Sequence, residues 1–265
     1  MKFSILTPTL NSAESLERTI NSVLQQNYDN WEHIIIDGGS TDGTIEIIKK
    51  YPHLKWISEP DRGIYDAMNK GITLANGDWI YFLGSDDLLK PGILKKIGAS
   101  ENSNVDVIYG NVWSTRFGGK YDGPFDFRKI YVKNICHQAI FLNKRVFKII
   151  GAFNLKYKSH ADYDHNIKWF LNKKIKHKYI DLVIAEYADG GFSSLNPDMV
   201  FAKEKRFKFI KYGWNTAPTI FIISLCYEEL NSQTTSYLKK LFVFFILIFS
   251  KLRYHSKYIL SKYQK

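Results

Sequence analysis

The chain is poor in cysteine, because Cys136 and Cys226 are its only two in 265 residues. Two isolated cysteines provide neither a disulfide framework nor the paired spacing of a zinc knuckle, and they fit a reducing cytosol. The amino terminus also lacks a long apolar stretch and a cleavage site, since Met1 is followed almost at once by a strand-like segment and Pro8. We therefore expect no signal peptide.

Acidic residues are missing from the end of the chain. After Leu230 there are seven lysines or arginines and no aspartate or glutamate. Residues 1–200 have a formal charge of +2, whereas residues 201–265 have a formal charge of +9. A nearly neutral body with a basic tail predicts an anionic partner for the tail, such as phospholipid headgroups or nucleic acid.

The sequence has no apolar run long enough to cross a bilayer. The most apolar segment, Leu241 to Ser250, has ten residues, and a transmembrane helix needs about 20. Its aromatic content and its basic flanks favour a helix that lies in the interface of an anionic membrane. A buried C-terminal helix and a dimer contact are the alternatives. Nucleic acid is disfavoured as a partner, because an apolar run has no use on a phosphate backbone.

The first half of the chain alternates apolar runs with helical patterns. Strands are predicted at 3–7, 31–36, 54–58 and 79–83, and helices at 12–26, 43–50 and 63–74. In the first of these helices, Asn11 and Glu14 are spaced as an N-cap and its capping partner. The β-α-β-α-β-α-β order predicts an α/β fold with a mostly parallel sheet covered by helices.

The second half is less regular. Strands are predicted at 105–110 and 138–142, an extended segment at 175–187, and helices at 144–150 and 161–172. Gly151 is placed to end the first of these helices. A helical tail is predicted to begin near residue 199.

Polar clusters follow the predicted strands at the point where each strand ends. The clusters are Thr7-Pro8-Thr9, Asp37, Glu59 to Arg62, and Asp86-Asp87. In parallel sheets, ligands bind outside the carboxyl ends of the strands. Four coincidences of this kind predict one ligand site at this edge of the sheet.

Asp86 and Asp87 are candidate ligands of a divalent cation. Carboxylate oxygens bind hard cations, and such a cation neutralises a diphosphate that leaves during sugar transfer. The alternative is that Asp87 caps a helix that starts near Lys90.

Asp37 and Arg62 each have two interpretations. Asp37 ends an apolar strand and could accept hydrogen bonds from a nucleotide base or ribose, but the segment Asp37 to Ser40 also has the composition of a turn. Arg62 could hold a phosphate near a helix N-terminus. It could equally form a surface ion pair with Asp61 or Asp66.

Asp162 and Asp164 lie two positions apart at the start of a predicted helix and point in different directions. One of them could be the base that removes a proton from an attacking hydroxyl, or either could cap the helix. His137 belongs to a polar cluster ahead of a strand. It could contact an acceptor or a phosphate, or it could be structural.

On the basis of these residues, the chain resembles family 2 glycosyltransferases of the GT-A fold. These are inverting enzymes of bacterial surface polysaccharide synthesis, of the capsule, O-antigen or exopolysaccharide type. The resemblance covers about residues 1–190 in the family's order. The matching segments are Thr7 to Asn11, Ser22 to Gln26, Ile35 to Thr44, Asp61 to Gly71, Gly77 to Ile80, Phe82 to Asp87, Cys136 to Gln138, and Gly151 to Asp164.

The resemblance implies a role for each candidate residue. Asp162 would be the catalytic base, and Asp86 would bind the metal, Mn²⁺ or Mg²⁺, as part of the Asp-x-Asp motif. The residues that would bind the nucleotide sugar are Thr7, Pro8, Thr9, Asn11, Glu14, Asp37, Arg62, Asn69, Ser85 and Asp86. Those that would contact the acceptor or a phosphate are His137, Gln138 and Asp87.

The sequence departs from the family's pattern at three positions. Gly84 replaces the first aspartate of the Asp-x-Asp motif, which removes one contact for the metal. Ala161 stands before Asp162 where an acid is frequent, so the base loses an acidic neighbour. Met68 replaces an arginine, and Arg62 would supply the positive charge instead.

The resemblance implies a Rossmann-like, nucleotide-binding GT-A domain at 1–198. The composition of the tail predicts a basic, membrane-associating helical extension at 199–265. The expected reaction is transfer of a sugar from a UDP-sugar, or a GDP-sugar, to a lipid-linked glycan acceptor. The expected location is the cytoplasmic face of the plasma membrane. The alternatives are an inactive GT-A-fold scaffold of a polysaccharide-assembly complex and a nucleotidyltransferase. A dinucleotide-dependent oxidoreductase is disfavoured, because no glycine-rich loop follows the first strand.

Overall fold

The computed structural model describes residues 1–99, 104–188 and 196–263. Within these ranges the strands join into one mixed sheet. The strands are β1 Phe3–Thr9, β2 Trp31–Asp37, β3 Lys55–Ser58, β4 Trp79–Phe82, β5 Leu88–Leu89, β6 Val107–Ser114, β7 Gly119–Tyr121, β8 Ile140–Asn143 and β9 His177–Glu186. The helices are α1 Leu16–Leu24, α2 Thr44–Lys49, α3 Ile64–Leu74, α4 Ile93–Ala99, α5 Phe127–Val132, α6 Lys144–Ile150, α7 Ala161–Phe170, α8 Met199–Gly213, α9 Thr219–Leu230 and α10 Tyr237–Tyr263.

The strand order is β3-β2-β1-β4-β8-β6-β9-β5, and β7 pairs with β6 outside this path. The first four strands in this order are parallel, as the βαβ pattern predicts. β8 is antiparallel to both of its neighbours, β4 and β6. β6 therefore runs in the same direction as β4, and β9 is parallel to β6. The carboxyl ends of β1, β2, β4, β6 and β9 all lie at one edge of the sheet.

Helices cover both faces of the sheet, so the α/β class is confirmed. The side chains of β1 are buried along its whole length, as expected for a strand with a helix layer on each side. α3, α6 and α7 pack in the larger core on one face. α1 and α4 contribute Val23, Leu94 and Ile97 to the core on the other face. Burial on both faces explains why the strands read as continuous apolar runs.

The predicted N-terminus of the first helix is wrong. The chain turns through residues 12–15, and α1 begins only at Leu16, after Ser15, which makes no side-chain capping bond. Asn11 has a positive φ of 50°, and its side-chain oxygen accepts a hydrogen bond from the Thr41 amide at 3.0 Å. The expected capping residue is therefore used to hold a neighbouring loop instead.

The tail is helical and packs against the body of the protein. Phe209, Ile222 and Val243, from α8, α9 and α10, belong to the same buried cluster as Leu6 of β1. In residues 1–99, 104–188 and 196–263, no helix is both long enough and apolar enough to cross a membrane.

Candidate active site

A cavity of about 720 Å³ opens at the carboxyl edge of the sheet. It lies beside the ends of β1, β4, β6 and β9 and the first turn of α7. The predicted residues that line it are Pro8, Asn11, Glu14, Ser85, Asp86, Asp87, His137, Gln138 and Asp162. Residues from four separate segments of the sequence therefore meet at one place, which is the edge that the βαβ pattern indicated.

Asp162 lies in the first turn of α7 with its carboxylate held by neutral donors. Tyr65 donates its hydroxyl to Oδ1 at 2.8 Å, and Asn134 donates its side-chain amide to Oδ2 at 2.7 Å. His137 Nδ1 lies 3.8 Å from Oδ2. Burial by itself raises the pKa of Asp162, but the interactions with His137 and Tyr65 outweigh it and keep the pKa below the ordinary value. Asp162 is therefore a carboxylate at neutral pH, although its residue is buried.

Asp162 satisfies one backbone amide in the first turn of α7, because its Oδ1 accepts a hydrogen bond from the Tyr163 N–H at 2.8 Å, as the capping alternative anticipated. The helix follows His160, which makes no side-chain capping bond. Asp164 points away from the cavity, and its two oxygens each lie 2.7 Å from a lysine, Lys168 and Lys208. The two carboxylates thus point in different directions, as predicted, and only Asp162 faces the cavity.

Asp86 and Asp87 follow β4 but differ in environment. Asp86 is exposed on the cavity wall. Asp87 is buried, and its oxygens accept hydrogen bonds from Gln138 Nε2 at 2.7 Å and from the Ala188 amide at 2.8 Å. Burial and the charge of Asp86 raise the pKa of Asp87 to about 6. Asp87 is not a helix cap, because β5 intervenes and α4 begins only at Ile93.

Gly84 leaves space that these carboxylates occupy. A Cβ atom at Gly84 would lie 2.5 Å from Asp87 Oδ2 and 3.1 Å from Asp86 Oδ1. Because hydrogen bonds fix Asp87 on both oxygens, a larger side chain at position 84 would require this carboxylate to move. The absence of the family's first aspartate is consistent with this packing.

The residues present fit a divalent cation that is shared with a substrate. Two carboxylate oxygens converge on the space next to Gly84, and Asp86 is open to the cavity. Among the described residues, no group of three or more histidine, cysteine, aspartate or glutamate side chains could hold a metal ion alone. Mg²⁺ is commonly bound by one or two carboxylates and completed by substrate phosphates, so Asp86 would hold it here.

His137 and Gln138 both line the cavity. They form the short 3₁₀ turn that precedes β8, and this antiparallel strand starts at the edge where its neighbours end. Gln138 is held by Asp87, and its carbonyl accepts a hydrogen bond from Tyr81 at 2.9 Å. His137 stays on the cavity wall beside Asp162.

Three predicted nucleotide-binding residues lie beneath or beside the cavity and do not line it. Thr7 is buried, with its hydroxyl 2.9 Å from His33 Nε2. The Thr9 hydroxyl is buried without a hydrogen-bond partner among the described residues. Asp37 accepts hydrogen bonds from the Ser40 amide at 3.0 Å and the Ser58 hydroxyl at 2.6 Å. Burial raises the pKa of Asp37, but the hydrogen bonds lower it by more, so the net pKa lies below the ordinary value. Asp37 therefore holds the turn after β2 as a carboxylate.

Two further predicted residues have structural partners outside the cavity. Arg62 is an exposed side chain that pairs with Asp66 at 3.1 Å, as the surface ion-pair alternative anticipated. Asn69 exchanges two hydrogen bonds of 2.9 Å with the backbone of Phe153, which ties α3 to the segment before α7.

Several lining residues were not predicted from the sequence. Tyr65 and Asn134 bind Asp162, and Arg116 lies at the end of β6. Three aromatic side chains, Phe117, Tyr121 and Tyr187, also line the cavity. Tyr65 lies within the matching Asp61 to Gly71 segment, so a search for polar side chains in that helix would have found it. No local pattern identified the others.

Comparisons with known proteins agree with this geometry. The profile described as Glycosyl transferase family 2 matches residues 4–170. A "PGL/p-HBAD biosynthesis glycosyltransferase" from Mycobacterium bovis (strain BCG / Pasteur 1173P2) is 39% identical over 211 residues, which are 76% of this chain and 82% of that protein.

Solved structures share the fold. A fragment of S. aureus TarS in complex with UDP-GlcNAc gives a TM-score of 0.64 at 20% identity, over 93% of this chain and 70% of the fragment. The chain spans 41% of a longer TarS chain. The mannosyltransferase PcManGT from Pyrobaculum calidifontis, in complex with GDP-Man and Mn²⁺, gives a TM-score of 0.57 at 14% identity, over 95% of this chain and 73% of that one.

Proposed function

We propose a specific reaction for this chain, which belongs to glycosyl transferase family 2 and is a glycosyltransferase. The chain moves a hexosyl group from a nucleotide-diphosphate sugar to a hydroxyl of a glycan acceptor, with inversion at the anomeric carbon. UDP is the favoured nucleotide and GDP is the alternative. The observation that carries the proposal is Asp162, an ionised carboxylate on the wall of the cavity that also holds Asp86.

The chemistry is a single displacement. The acceptor oxygen forms a bond to the anomeric carbon as the bond between that carbon and the diphosphate oxygen breaks, and the hydroxyl proton passes to Asp162. Attack from the face opposite the leaving group inverts the configuration. A positioned base of this kind contributes about 10²–10⁴-fold to a rate. Tyr65 and Asn134 hold the carboxylate in one orientation for this step.

The leaving diphosphate needs positive charge, and a divalent cation at Asp86 would supply it when bound. Asp86 and Ser85 lie at the carboxyl end of β4, next to Pro8 and Asn11 at the end of β1. We therefore assign the donor to the β1–β4 half of the cavity. Structures of the neighbours in complex with UDP-GlcNAc or with GDP-Man and Mn²⁺ support a nucleotide-sugar donor and a metal requirement.

The acceptor is proposed to be lipid-linked, in surface polysaccharide synthesis at the cytoplasmic face of the plasma membrane. Support comes from α10, where one side is buried against the body and the other exposes Phe245, Phe249 and Leu252. The helix also carries lysine and arginine but no acid. An apolar and cationic face of this kind suits an anionic lipid surface.

The experiment that tests the reaction measures nucleotide diphosphate release from a panel of UDP-, GDP- and dTDP-sugars. We expect slow hydrolysis of one donor with Mn²⁺ or Mg²⁺ and loss of this activity with chelator. Formation of pyrophosphate from a nucleoside triphosphate and a sugar 1-phosphate would instead indicate a nucleotidyltransferase. A chain that shows neither release nor a donor-induced thermal shift would be the inactive scaffold, and the proposal would fail.

Asp162→Asn provides the matched variant for this assay. The substitution keeps the shape of the side chain and removes the base, so we expect kcat for transfer to fall by about 10²–10⁴-fold. The donor-induced thermal shift should remain, because asparagine fills the same space and the assigned donor residues, at the ends of β1 and β4, are unchanged. Full activity in Asp162→Asn would remove Asp162 as the base.

A further inference from the structure

A second cavity, of about 590 Å³, lies between the ends of α6, α7 and α8. None of the residues that line it also lines the active-site cavity. Four lysines line it, and no aspartate or glutamate among the described residues does; the lysines are Lys168, Lys173, Lys174 and Lys211. This cavity is called the lysine pocket below. A concave surface that carries charge of one sign attracts a ligand of the opposite sign.

The surroundings of the lysine pocket do not neutralise its charge. Lys168 is paired with Asp164 at 2.7 Å. The other three lysines are exposed and form no ion pair with an acidic side chain in the part of the chain that the structure describes. Three helices end at the pocket, and their C-termini together carry a partial charge of about −1.5, which is smaller than the charge of three lysines. A net positive charge therefore remains for an anionic ligand.

The rim of the lysine pocket meets α10. Trp214 lines the pocket and is 36% exposed, and its carbonyl accepts a hydrogen bond from Arg253 of α10 at 3.4 Å. Phe249 lies one turn before Arg253 on the same side of the helix and is exposed. The exposed apolar side of α10 therefore lies next to the pocket. A tryptophan between an apolar and a charged surface is typical of proteins at a membrane–water interface.

We infer that the lysine pocket binds the phosphate of an anionic lipid headgroup while α10 lies in the apolar layer beside it. This inference rests on the membrane location in the proposed function. Lysine ammonium groups are donors to phosphate oxygens. Two asparagines that line the pocket, Asn172 and Asn215, accept hydrogen bonds on their side-chain oxygens at 2.9 Å, which leaves their NH₂ groups as further donors. The adjacent apolar face favours a lipid over a soluble phosphate, because both ends of a lipid then meet a matching surface.

The test measures binding to sucrose-loaded vesicles by sedimentation at one ionic strength. The vesicles contain either phosphatidylcholine alone or phosphatidylcholine with phosphatidylglycerol. The triple variant Lys173→Gln, Lys174→Gln and Lys211→Gln should bind the phosphatidylglycerol vesicles about 10²-fold more weakly than the wild type, because each lysine near an anionic leaflet contributes about fivefold. Nucleotide release in the absence of vesicles should be unchanged in this variant, since the pocket shares no residue with the active-site cavity.

The matched control is a second triple variant, Lys49→Gln, Lys50→Gln and Lys95→Gln. These lysines are exposed at the end of α2 and on α4, so the net charge falls by the same amount away from the pocket. We expect this variant to bind the vesicles almost as well as the wild type. Thermal unfolding checks that both variants are folded.

A second readout separates a lipid from a soluble phosphate ester. In NMR spectra of the protein with isotope-labelled tryptophan, Trp214→Phe identifies the indole signal of Trp214. Dihexanoyl phosphatidylglycerol, below the concentration at which it forms micelles, should shift this signal in the wild type and not in the Lys173, Lys174 and Lys211 variant. Glycerol phosphate, which has the same phosphate chemistry without acyl chains, should need a much higher concentration for the same shift.

Three outcomes would overturn the inference. Equal losses of vesicle binding in the two triple variants would show that binding follows net charge alone, and unchanged binding in the pocket variant would exclude the pocket. An equal response of the Trp214 signal to glycerol phosphate and to the short-chain lipid would assign the pocket to a soluble phosphate ester. A wild-type protein that binds neither kind of vesicle would refute the proposed membrane location itself, and the inference with it.

Discussion

Asp162 is held by a chain of side chains whose orientations are fixed by chemistry. Trp169 can only donate, and its Nε1 donates to Asn166 Oδ1 at 2.8 Å. Asn166 then donates to Asn134 Oδ1 at 2.8 Å, so the amide nitrogen of Asn134 must face Asp162. The side-chain amide of Asn134 therefore cannot flip, and it always presents a hydrogen-bond donor to Asp162. A fixed donor favours the ionised form of this carboxyl group.

Tyr65 completes this arrangement from the opposite side. Burial, and then the charge of Asp162, raise the pKa of Tyr65 well above its ordinary value, so its hydroxyl keeps its proton. The hydroxyl lies 2.8 Å from Asp162 Oδ1 and 3.0 Å from the Ser159 carbonyl. Tyr65 is thus a positioning residue, because it acts through Asp162.

Tyr65→Phe should shift the pH dependence of the reaction. The carboxylate is the active form of Asp162, and losing a donor to it raises its pKa. The acidic limb of kcat/KM should therefore move to higher pH, while activity above that limb is partly retained. The measurement is kcat/KM for transfer across the acidic and neutral range.

Tyr51→Phe is the control for this shift, because its hydroxyl contacts Glu17 at 3.1 Å and the residue does not line the cavity. A purely structural role for Tyr65 would lower activity at every pH equally. An unmoved acidic limb would therefore contradict the positioning role.

At the scale of elements, α7 and α8 are joined by a buried cluster of charges. Asp164 of α7 is almost fully buried and lies 2.7 Å from Lys168 of its own helix and from Lys208 of α8. The two lysine side chains are only 14% and 12% exposed. A paired buried carboxylate is costly to remove, because its partners are then left without a counter-charge.

Asp164→Asn should reduce the free energy of unfolding by about 3 kcal/mol. Urea denaturation followed by circular dichroism measures this change. Adding Lys208→Met removes one of the unpaired lysines, so the double variant should recover part of the loss. Glu59→Gln is the control, because its ion pair with Lys70 is exposed and should contribute less than about 1 kcal/mol. Equal losses in the two single variants would refute the buried-cluster account.

The elements of the first half could be predicted because local sequence determines them. Both faces of β1 are buried, so an apolar run is enough to identify it. The start of α1 could not be predicted, because Asn11 is held by the amide of Thr41, which is 30 residues away. The strand predicted at 105–110 continues to Ser114 as β6. This extension was missed because the pairing of β6 with β9 shifts register after Tyr109 and resumes beyond Gly110.

The same distinction applies to the candidate site. The βαβ pattern placed Asp86 and the residues after β1 at one edge, and the structure brings them together with Asp162. The partners of Asp162 could not be read from the sequence, because Tyr65 is 97 residues away and Asn134 belongs to an irregular loop. Long-range hydrogen bonds leave no local pattern, whereas a strand end does.

At the scale of the whole molecule, the tail both completes the core and presents an apolar surface. Val243, Ile246 and Leu247 of α10 are buried against the body, while Phe245, Phe249 and their neighbours point outward. The exposed residues are spaced by three and four, so they form one continuous face. A continuous apolar face that is exposed on the single chain is typical of an interaction surface.

Phe245→Asp combined with Phe249→Asp should release the protein from vesicles that contain phosphatidylglycerol, as measured by flotation. The two side chains are 52% and 58% exposed, so the change places acid on the exposed side of α10 without removing buried contacts. Deleting residues 235–265 should also release the protein, but it removes part of the core as well. Leu24→Asp on α1 is the control for an exposed apolar residue elsewhere and should float like the wild type. Weaker flotation with pure phosphatidylcholine would show the contribution of the basic residues, whereas equal flotation of the double variant and the wild type would exclude α10 as the membrane contact.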